Sequence, residues 1–376
     1  MAKRGRPKKS LTQKLLEERQ IEKNKEDPKF KQIPLSKESE ILVKKGLQEA
    51  KEGKLERIEI GEHQTNIPME ITEEQNNKLK KVVNDLTKSF GHEIIHFASD
   101  EIVKEKIMFP VPEIDKMLGG GIPYGTFSIL WGNKSCAKTT ITYNLIAQAQ
   151  KQGKICAYFD LENSFDKVWA EKQGVDLNRL LVGHFQTAEE AMDTLIKMSR
   201  EKAIDFVVLD SIQSLSPKGE QETKTGKEKS TEDDTMALLA RKLSQFFRMA
   251  ASGIHSGKVA VLLIGQARTD LGSFIKLETL SGGHALGHWS VITVKVHRGQ
   301  KADAPRYKFK VNGKTKELII GFSLVVKLEK TKVSGTAPEG TEIRVPFYYE
   351  YGFNKPNDTQ IEELYKDWIE FEGGEE

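Results

Sequence analysis

The sequence predicts an α/β fold built on a mostly parallel, doubly wound sheet. From about residue 108, strand and helix patterns alternate: the apolar strand "TFSILW" leads through a loop into the helical segment "TTITYNLIAQAQKQG", and "KICAYFD" is a further strand. The runs "IDFVVLD" and "KVAVLLIG" are continuously apolar, as in strands that are covered on both faces. Strands that alternate with helices in this way form parallel sheets through right-handed crossovers.

An amphipathic helix and a short strand, "EIIHF", are predicted before this core, within residues 66–107. Thr72, followed three residues later by Gln75, predicts a capping box, and Gly91 is placed to end the helix. The apolar residues of the helix share one face: Leu79, Val82, Val83, Leu86 and Phe90.

Later in the chain, Thr187 with Glu190 predicts the start of the helix "AEEAMDTLIKMSREK". The segment "RYKFKVNGKTKELIIGF" predicts a hairpin that turns at Asn312-Gly313. We therefore divide the chain into a basic arm without a core-forming pattern (1–65), the N-terminal helix and strand (66–107), the core (108–335) and a short C-terminal segment with an acidic tail (336–376).

Composition excludes membrane and disulfide-rich classes. Hydrophobic residues make up 38% and charged residues 30% of the 376 residues, and the longest apolar run, Val259 to Ile264, is too short to span a bilayer. No apolar segment follows the basic start, so we expect a cytoplasmic location, which would be the host cytoplasm for a phage protein. Two cysteines, Cys136 and Cys156, do not make a disulfide framework, and we expect both to be buried or inert as thiols.

The formal net charge of +3 is unevenly spread along the chain. The start, "MAKRGRPKKS", is strongly basic, and the last sixteen residues hold seven acids against Lys366 alone. This asymmetry is typical of nucleic-acid binders. Arg4 and Arg6 flank a glycine among other cations and could lie along a DNA minor groove. A simple solvated terminus is the alternative for each end.

The segment "GNKSCAKTT", residues 132–140, is close to the phosphate-binding pattern G-x-x-x-x-G-K-[ST]. Gly132, Lys138 and Thr139 are in register, between a strand and a helix, but Ala137 stands where the second glycine is usual. We expect Ala137 to have ordinary right-handed dihedrals at the helix start, where a methyl group costs little. A chance match remains the alternative.

Two carboxylates are predicted at the carboxyl ends of neighbouring strands, where ligands of such sheets bind. Asp210 ends "IDFVVLD" and could support Mg²⁺, and Glu162, in "CAYFDLENSFD", could deprotonate an attacking water. Either acid alone could be a helix cap or a surface residue. Together with the loop they favour an ATP site.

From about residue 70 to 335 the chain resembles the RecA recombinases, most strongly bacterial RecA and its phage relatives. The likeness runs in order through "MLGGGIPYG", the phosphate loop, "CAYFDLENSFD", "GVDLNRLLV", "VVLDSIQSLSPK", "LLARKLSQFFRMA", "LLIGQARTDLG", "ETLSGGHAL" and "KLEKTK". It implies a RecA-like P-loop ATPase core, ATP and Mg²⁺ as cofactors, and an N-terminal element that docks on the next protomer.

The resemblance also implies roles for single residues. Thr139 and Asp210 would hold Mg²⁺, Glu162 would be the catalytic carboxylate, and Asp166 and Trp169 would contact adenine. The nucleotide's phosphates would lie against Gly132, Asn133, Lys134, Ser135, Cys136, Ala137, Lys138, Thr139 and Thr140. Gln266 would relay the state of the γ-phosphate to a DNA-binding loop. Lys330 and Lys332 would enter the ATP site of a neighbouring subunit, as in a head-to-tail helical filament.

Two loops, 216–234 and 267–283, are then expected to hold DNA, although ordinary surface loops are the alternative. Cations for phosphates and one aromatic that can wedge between bases suit a single-strand site. The residues are Lys218, Lys224, Lys227, Lys229, Arg268, Phe274, Lys276, Gly282 and Gly283.

The chain departs from the family in four places. Besides Ala137, Gly287 and His288 replace a Lys-Phe pair that couples subunits in bacterial RecA. In place of the large C-terminal domain of bacterial RecA we expect only a short segment of about forty residues after the core, and the arm 1–65 has no recognised counterpart. His284 and His288 are spaced i, i+4 as metal ligands can be, but no partner acid or cysteine is evident, so we predict no zinc site.

We therefore predict an ATP-dependent DNA strand-exchange protein that forms filaments on single-stranded DNA. Its expected partners are single-stranded DNA, homologous duplex DNA and further copies of itself, with single-strand binding and mediator proteins as further candidates and no membrane. Two alternatives stay open: a RecA-like motor or loader without strand exchange, and a weakly hydrolysing DNA-binding scaffold in which Ala137 has crippled turnover.

Overall fold

The computed structural model describes residues 72–91, 95, 104–217, 236–269, 278–280, 284–311 and 313–369. The chain divides between Ser99 and Asp100 into two units. The arm 1–65, the predicted strand "EIIHF" apart from Ile95, and the last seven residues of the acidic end, 370–376, lie outside the described residues.

In the first unit, helix α1 (Glu73–Phe90) begins and ends where the sequence predicts. The Thr72 hydroxyl accepts a hydrogen bond from the Gln75 amide at 3.3 Å, and the Gln75 side chain accepts one from the Thr72 amide at 3.0 Å. Gly91 closes the helix in a left-handed conformation, φ 75°. Within the described residues no residue of α1 is buried, and Leu79 and Val82 of its apolar face are exposed. Docking of this face on another protomer stays a prediction.

The second unit is an α/β unit, as predicted. Its helices are α2 (Pro112–Met117), α3 (Lys138–Lys151), α4 (Lys167–Lys172), α5 (Ala188–Arg200), α6 (Met236–Gly257), α7 (His284–Trp289) and α8 (Asp358–Leu364). Its strands are β1 (Lys106–Ile107), β2 (Ile122–Pro123), β3 (Phe127–Gly132), β4 (Cys156–Asp160), β5 (Leu180–Gly183), β6 (Phe206–Asp210), β7 (Ala260–Thr269), β8 (Glu278–Leu280), β9 (Ser290–Arg298), β10 (Arg306–Val311), β11 (Lys314–Ile319), β12 (Gly321–Thr331) and β13 (Glu342–Tyr348).

Within the described residues, one large sheet has the strand order β13-β12-β9-β3-β7-β6-β4-β5, with β8 added at the end of β7. The strands from β9 to β5 run parallel; β12 pairs antiparallel with both β9 and β13, and β8 pairs antiparallel with β7. The sheet therefore continues past residue 335, since β13 pairs with β12. The carboxyl ends of β3, β4, β6 and β7 meet at one edge.

Both faces of the sheet are covered, as the apolar strand sequences predict. Every residue of β3 and β6 is buried. Tyr143 and Ile146 of α3 pack in the core on one face, and Leu195 of α5 and Phe247 of α6 pack in the core on the other. This double packing holds the strand ends in fixed positions, and those ends carry the candidate site.

The predicted hairpin is confirmed as a two-stranded sheet of β10 and β11. Val311 pairs with Lys314, and Gly313, directly before Lys314, has φ 75°. Asn312, the other predicted turn residue, lies outside the described residues. Phe309 and Leu318 pack with Ile361 of α8 in a small separate cluster. Among the helices of the described residues, none is long and apolar enough to cross a bilayer.

Candidate functional site

The phosphate loop joins the end of β3 to the start of α3. Gly132 lies so close to β9 that a Cβ on it would come within 1.9 Å of the Val296 carbonyl oxygen, so only glycine fits there. The Lys138 ammonium folds back over the loop and donates to the carbonyl oxygens of Gly132 at 3.1 Å and Asn133 at 2.7 Å. The lysine and the start of a helix thus face the same space, as anion binding requires.

The expectation for Ala137 is wrong. This residue is left-handed, with φ 62° and ψ 17°, and Ser135 also has a positive φ of 56°. The loop must curl to bring its amides to one side, and the curl falls on the residue just before the helix. The left-handed conformation costs an alanine about 1–2 kcal/mol of conformational free energy, whereas a glycine adopts it without this cost. Ala137 therefore occupies a position whose backbone conformation favours glycine.

Thr139 and Asp210 lie together beside the loop. The Thr139 hydroxyl donates to the Asp210 carboxylate at 3.3 Å, and the hydroxyl of buried Tyr158 donates to the same oxygen at 2.7 Å. Burial raises the pKa of Asp210 to about 6, partly offset by these hydrogen bonds. A hydroxyl and a carboxylate are the oxygen donors that Mg²⁺ prefers, so the pair fits this ion. A bound cation would favour the ionised carboxylate.

Glu162 follows β4 and lies next to Asp210 at the same sheet edge. Its Oε1 accepts hydrogen bonds from the Gln266 side chain at 2.6 Å, from Ser211, and from Ser214 at 3.5 Å. The predicted catalytic carboxylate and the predicted relay residue are thus in direct contact.

Gln213 was missed by sequence reasoning. Its side chain accepts from the Gln266 amide at 3.0 Å and donates to the Gln266 carbonyl at 3.4 Å. Strand β6 pairs with β7 only as far as Leu263, so Gln213 supplies backbone hydrogen bonds where the neighbouring strand has ended. A polar side chain three residues past the strand-end Asp210 is the only signal for it in the sequence.

The predicted adenine contacts lie on α4 and are already partly engaged. Asp166 caps the helix by accepting from the Trp169 amide at 2.9 Å, and the Trp169 indole donates to the Thr140 hydroxyl at 3.0 Å. The Lys172 ammonium lies 5.5 Å from the Trp169 ring centre and 5.2 Å from that of Tyr351. Sequence reasoning did not find Lys172 or Tyr351, because Tyr351 reaches α4 from a distant part of the chain.

Lys330 and Lys332 do not approach the phosphate loop of their own chain. Lys330 pairs with Thr293, which lies opposite Ile129, three residues before the end of β3. Its ammonium donates to the carbonyls of Gly287 and, at 2.7 Å, Ser290, and burial lowers its pKa. The Lys332 ammonium donates to the His288 carbonyl at 3.2 Å.

Most of the predicted DNA-binding residues lie outside the described residues: Arg4, Arg6, Lys218, Lys224, Lys227, Lys229, Phe274, Lys276, Gly282 and Gly283. Arg268 is on β7, where only its backbone is described. The chain enters the first loop after the short helix Ile212–Ser214 and the second at the end of β7. Both approaches start at the sheet edge that carries Glu162.

Two further features that the sequence analysis considered are the cysteines and metal binding by histidine. Both cysteines are buried and free, and burial raises the pKa of each thiol. Among the described residues, no group of three or more His, Cys, Asp and Glu side chains is placed to hold a metal.

The geometry agrees with an independent comparison. A family model, described as the RecA N-terminal domain, matches residues 77–352. The match spans well over half of the 376 residues and includes the phosphate loop, Glu162, Asp210, Gln266 and the EKTK lysines. The chain belongs to the RecA family.

Proposed function

We propose that this protein is an ATP-dependent DNA recombinase that forms helical filaments on single-stranded DNA and catalyses homologous pairing and strand exchange. Membership of the family supports a RecA-like recombinase or ATPase in general. The observation that carries the finer proposal is the 2.6 Å hydrogen bond from Gln266 to Glu162. It joins the strand that leads into a predicted DNA loop to the carboxylate beside the phosphate loop.

ATP would bind with its phosphates against the loop amides and the Lys138 ammonium. That ammonium now lies on the Gly132 and Asn133 carbonyls, so it is held at the loop and needs only a small shift to meet an anion. Thr139 and Asp210 would hold Mg²⁺, which neutralises charge on the phosphates. Trp169 would offer an aromatic face to the adenine.

Glu162 would take the proton from the attacking water at its carboxylate. Ser211 and Gln266 donate to one of its oxygens, which fixes the orientation of the group. Gln266 lies on β7, and its side chain is one of the donors to that oxygen. Any shift of β7 would therefore change the hydrogen bonds to Glu162, the base. DNA bound beyond β7 would thereby change the hydrolysis rate.

Lys330 and Lys332 would act on the ATP of a neighbouring subunit. They lie near the amino-terminal side of β3, so their own phosphate loop is at the other edge of the sheet. A repeated head-to-tail contact would present them to the next protomer and build an open helix. Each ATP site would then be complete only within the filament.

A motor or loader without strand exchange is the main alternative, and a weakly hydrolysing scaffold is the other. The motor would share DNA-stimulated hydrolysis but not pair homologous strands. The scaffold would form DNA filaments whose assembly does not depend on ATP.

The first test is ATP hydrolysis with and without single-stranded DNA, with Lys138→Ala as the blank. Stimulation by DNA that disappears in the blank supports a coupled ATP site. Turnover no higher than the blank under every condition would favour the scaffold. Strand exchange between a single strand and a homologous duplex then separates recombinase from motor, because only the recombinase yields the joint molecule.

A further inference from the structure

The second predicted DNA loop, 267–283, is connected to the candidate site at both of its ends. β7 enters it and carries Gln266, which contacts Glu162. β8 leaves it and begins at Glu278, which pairs with Thr269 across the β7–β8 ladder. Glu278 is not among the residues that the sequence predicts for the site.

The Glu278 carboxylate uses its two oxygens for two different partners. Oε1 accepts from the side-chain amide of Asn133, in the phosphate loop, at 2.8 Å. Oε2 pairs with the Lys295 ammonium, on β9, at 3.0 Å. The Asn133 hydrogen bond and then Lys295 lower the pKa of Glu278, so the carboxylate is ionised at neutral pH and both contacts are charge-assisted.

Lys295 fastens this contact to the rigid sheet. Its side chain is only 18% exposed, and its ammonium lies 4.7 Å from the ring centre of Trp131. Trp131 is buried, pairs with Lys295 across the β3–β9 ladder, and donates its indole N–H to Glu329 at 2.7 Å. Glu278 is therefore held between a fixed cation and the phosphate loop.

Asn133 passes the contact on to the phosphate-binding lysine. Its side chain meets Glu278, while its carbonyl oxygen accepts from the Lys138 ammonium at 2.7 Å and from the Cys136 thiol at 2.7 Å. A change at the side chain thus reaches the Lys138 ammonium through a single residue.

We propose that Glu278 is a positioning residue that couples the second loop to the phosphate loop through Asn133. DNA on this loop would shift β8, and the Glu278–Asn133 contact would change where Lys138 is held. This route is separate from the Gln266–Glu162 contact: one end of the loop acts on the base and the other on the phosphate site. The proposal rests on the proposed function, since it takes DNA to bind this loop.

The contact itself is tested without activity, by hydrogen exchange of the amides of residues 132–140 in the full chain without nucleotide or DNA. We expect Glu278→Ala and Asn133→Ala each to speed this exchange about fivefold, and the double variant to be no faster than either. Glu278→Gln keeps an acceptor for Asn133 and should recover most of the protection. Glu105→Ala is the control, because it breaks an ion pair of the same 3.0 Å length, with Lys154, that is not part of the site.

The coupling is tested by the ratio of ATP turnover with saturating single-stranded DNA to turnover without it. We expect this ratio to fall about fivefold in Glu278→Ala, with no further fall in the Glu278→Ala/Asn133→Ala variant and recovery in Glu278→Gln. The same contact would link the two binding sites, so ATP should strengthen DNA binding less in Glu278→Ala than in the wild type, and by reciprocity DNA should strengthen ATP binding less by the same factor.

The outcomes separate the two proposals. Unchanged exchange in both single variants, or effects that multiply in the double variant, would overturn the contact whatever the protein's activity. Faster exchange with wild-type DNA stimulation would make the contact structural only and overturn its coupling role. A wild type that ignores DNA would end the proposed function and this coupling role together, while the exchange data would still decide whether the contact holds the loop.

Discussion

The phosphate loop and the β10–β11 hairpin turn both contain residues in the left-handed backbone conformation, but the residue types at these positions differ. The hairpin places a glycine there, Gly313, with φ 75°. The phosphate loop places Ser135 at φ 56° and Ala137 at φ 62°. In each case a lysine comes directly after the left-handed residue, Lys314 in the hairpin and Lys138 in the loop. Glycine adopts the left-handed conformation of the hairpin turn without strain. The left-handed serine and alanine of the phosphate loop are strained, so neighbouring groups have to stabilise that conformation.

The contacts around the phosphate loop supply this support. Arg298 donates to the Ser135 carbonyl at 2.8 Å and lies 4.2 Å from the ring centre of Phe322. Asn133 is held by Glu278, and Ala137 packs against the main core cluster. Strained backbone persists where neighbouring groups determine it, and such places are commonly functional. The difference between the two turns therefore marks the loop as the part of the chain with a task beyond folding.

The largest expected effect comes from the two matched lysines. Lys138→Ala should lower ATP turnover by at least about 100-fold, because it removes the cation that faces the phosphates. Lys314→Ala is the matched control and should leave turnover unchanged. Steady-state hydrolysis measures both. Equal rates for the two variants would remove the functional distinction between the turns.

Glu162→Gln should lower turnover by about 100-fold or more, because an amide cannot accept the proton from water. The amide oxygen can still accept from Gln266 and Ser211, so the site should keep its shape and its nucleotide. We expect ATP-bound filaments that persist, as seen by nucleotide retention after gel filtration with DNA. Near-normal hydrolysis in this variant would remove Glu162 from the mechanism and leave the loop without its base.

The hairpin offers a test of the cost of a left-handed alanine. Gly313→Ala should lower the free energy of unfolding by about 1 kcal/mol, because the new Cβ meets no atom within 4 Å and the whole cost is conformational. Denaturant unfolding measures it, with Lys314→Ala as the neighbouring control. A Gly313→Ala protein as stable as the wild type would show that a left-handed alanine costs little in this chain.

The same contrast explains what sequence predicts well. The capping box at Thr72 and Gln75, the β10–β11 hairpin and the buried strands depend on neighbouring residues or on one periodicity, and all are confirmed. That Lys138, Asp210 and Glu162 lie close to one another was also predictable, because parallel strands end at a common edge of the sheet.

What sequence did not predict comes from contacts between distant segments. Glu278 meets Asn133 across 145 positions, and Lys172 meets Tyr351 only after the chain has folded. The handedness of Ala137 was mistaken for a related reason. Helix propensity favours alanine at a helix start, but the conformation is set by the curl of the loop and by Gly132 pressed against β9.

Ala137→Gly should have the smallest effect of the series. Glycine relieves the left-handed strain but loses a methyl group that packs on the core and gains freedom in the unfolded chain. These effects oppose each other, so stability should change by less than about 1 kcal/mol. Turnover should stay within about fivefold of the wild type, because alanine already adopts the conformation that glycine would take and the amides face the same space.

Stability and hydrolysis of Ala137→Gly are therefore measured together, with Gly313→Ala as the opposite exchange. If glycine raised turnover tenfold or more, the methyl group would be an obstacle in the phosphate site, and the scaffold alternative would gain. If turnover is unchanged while Gly313→Ala is destabilised, the support around the phosphate loop has fully offset the cost of its alanine. The second glycine of the phosphate-binding pattern would then be dispensable wherever surrounding contacts impose the left-handed turn.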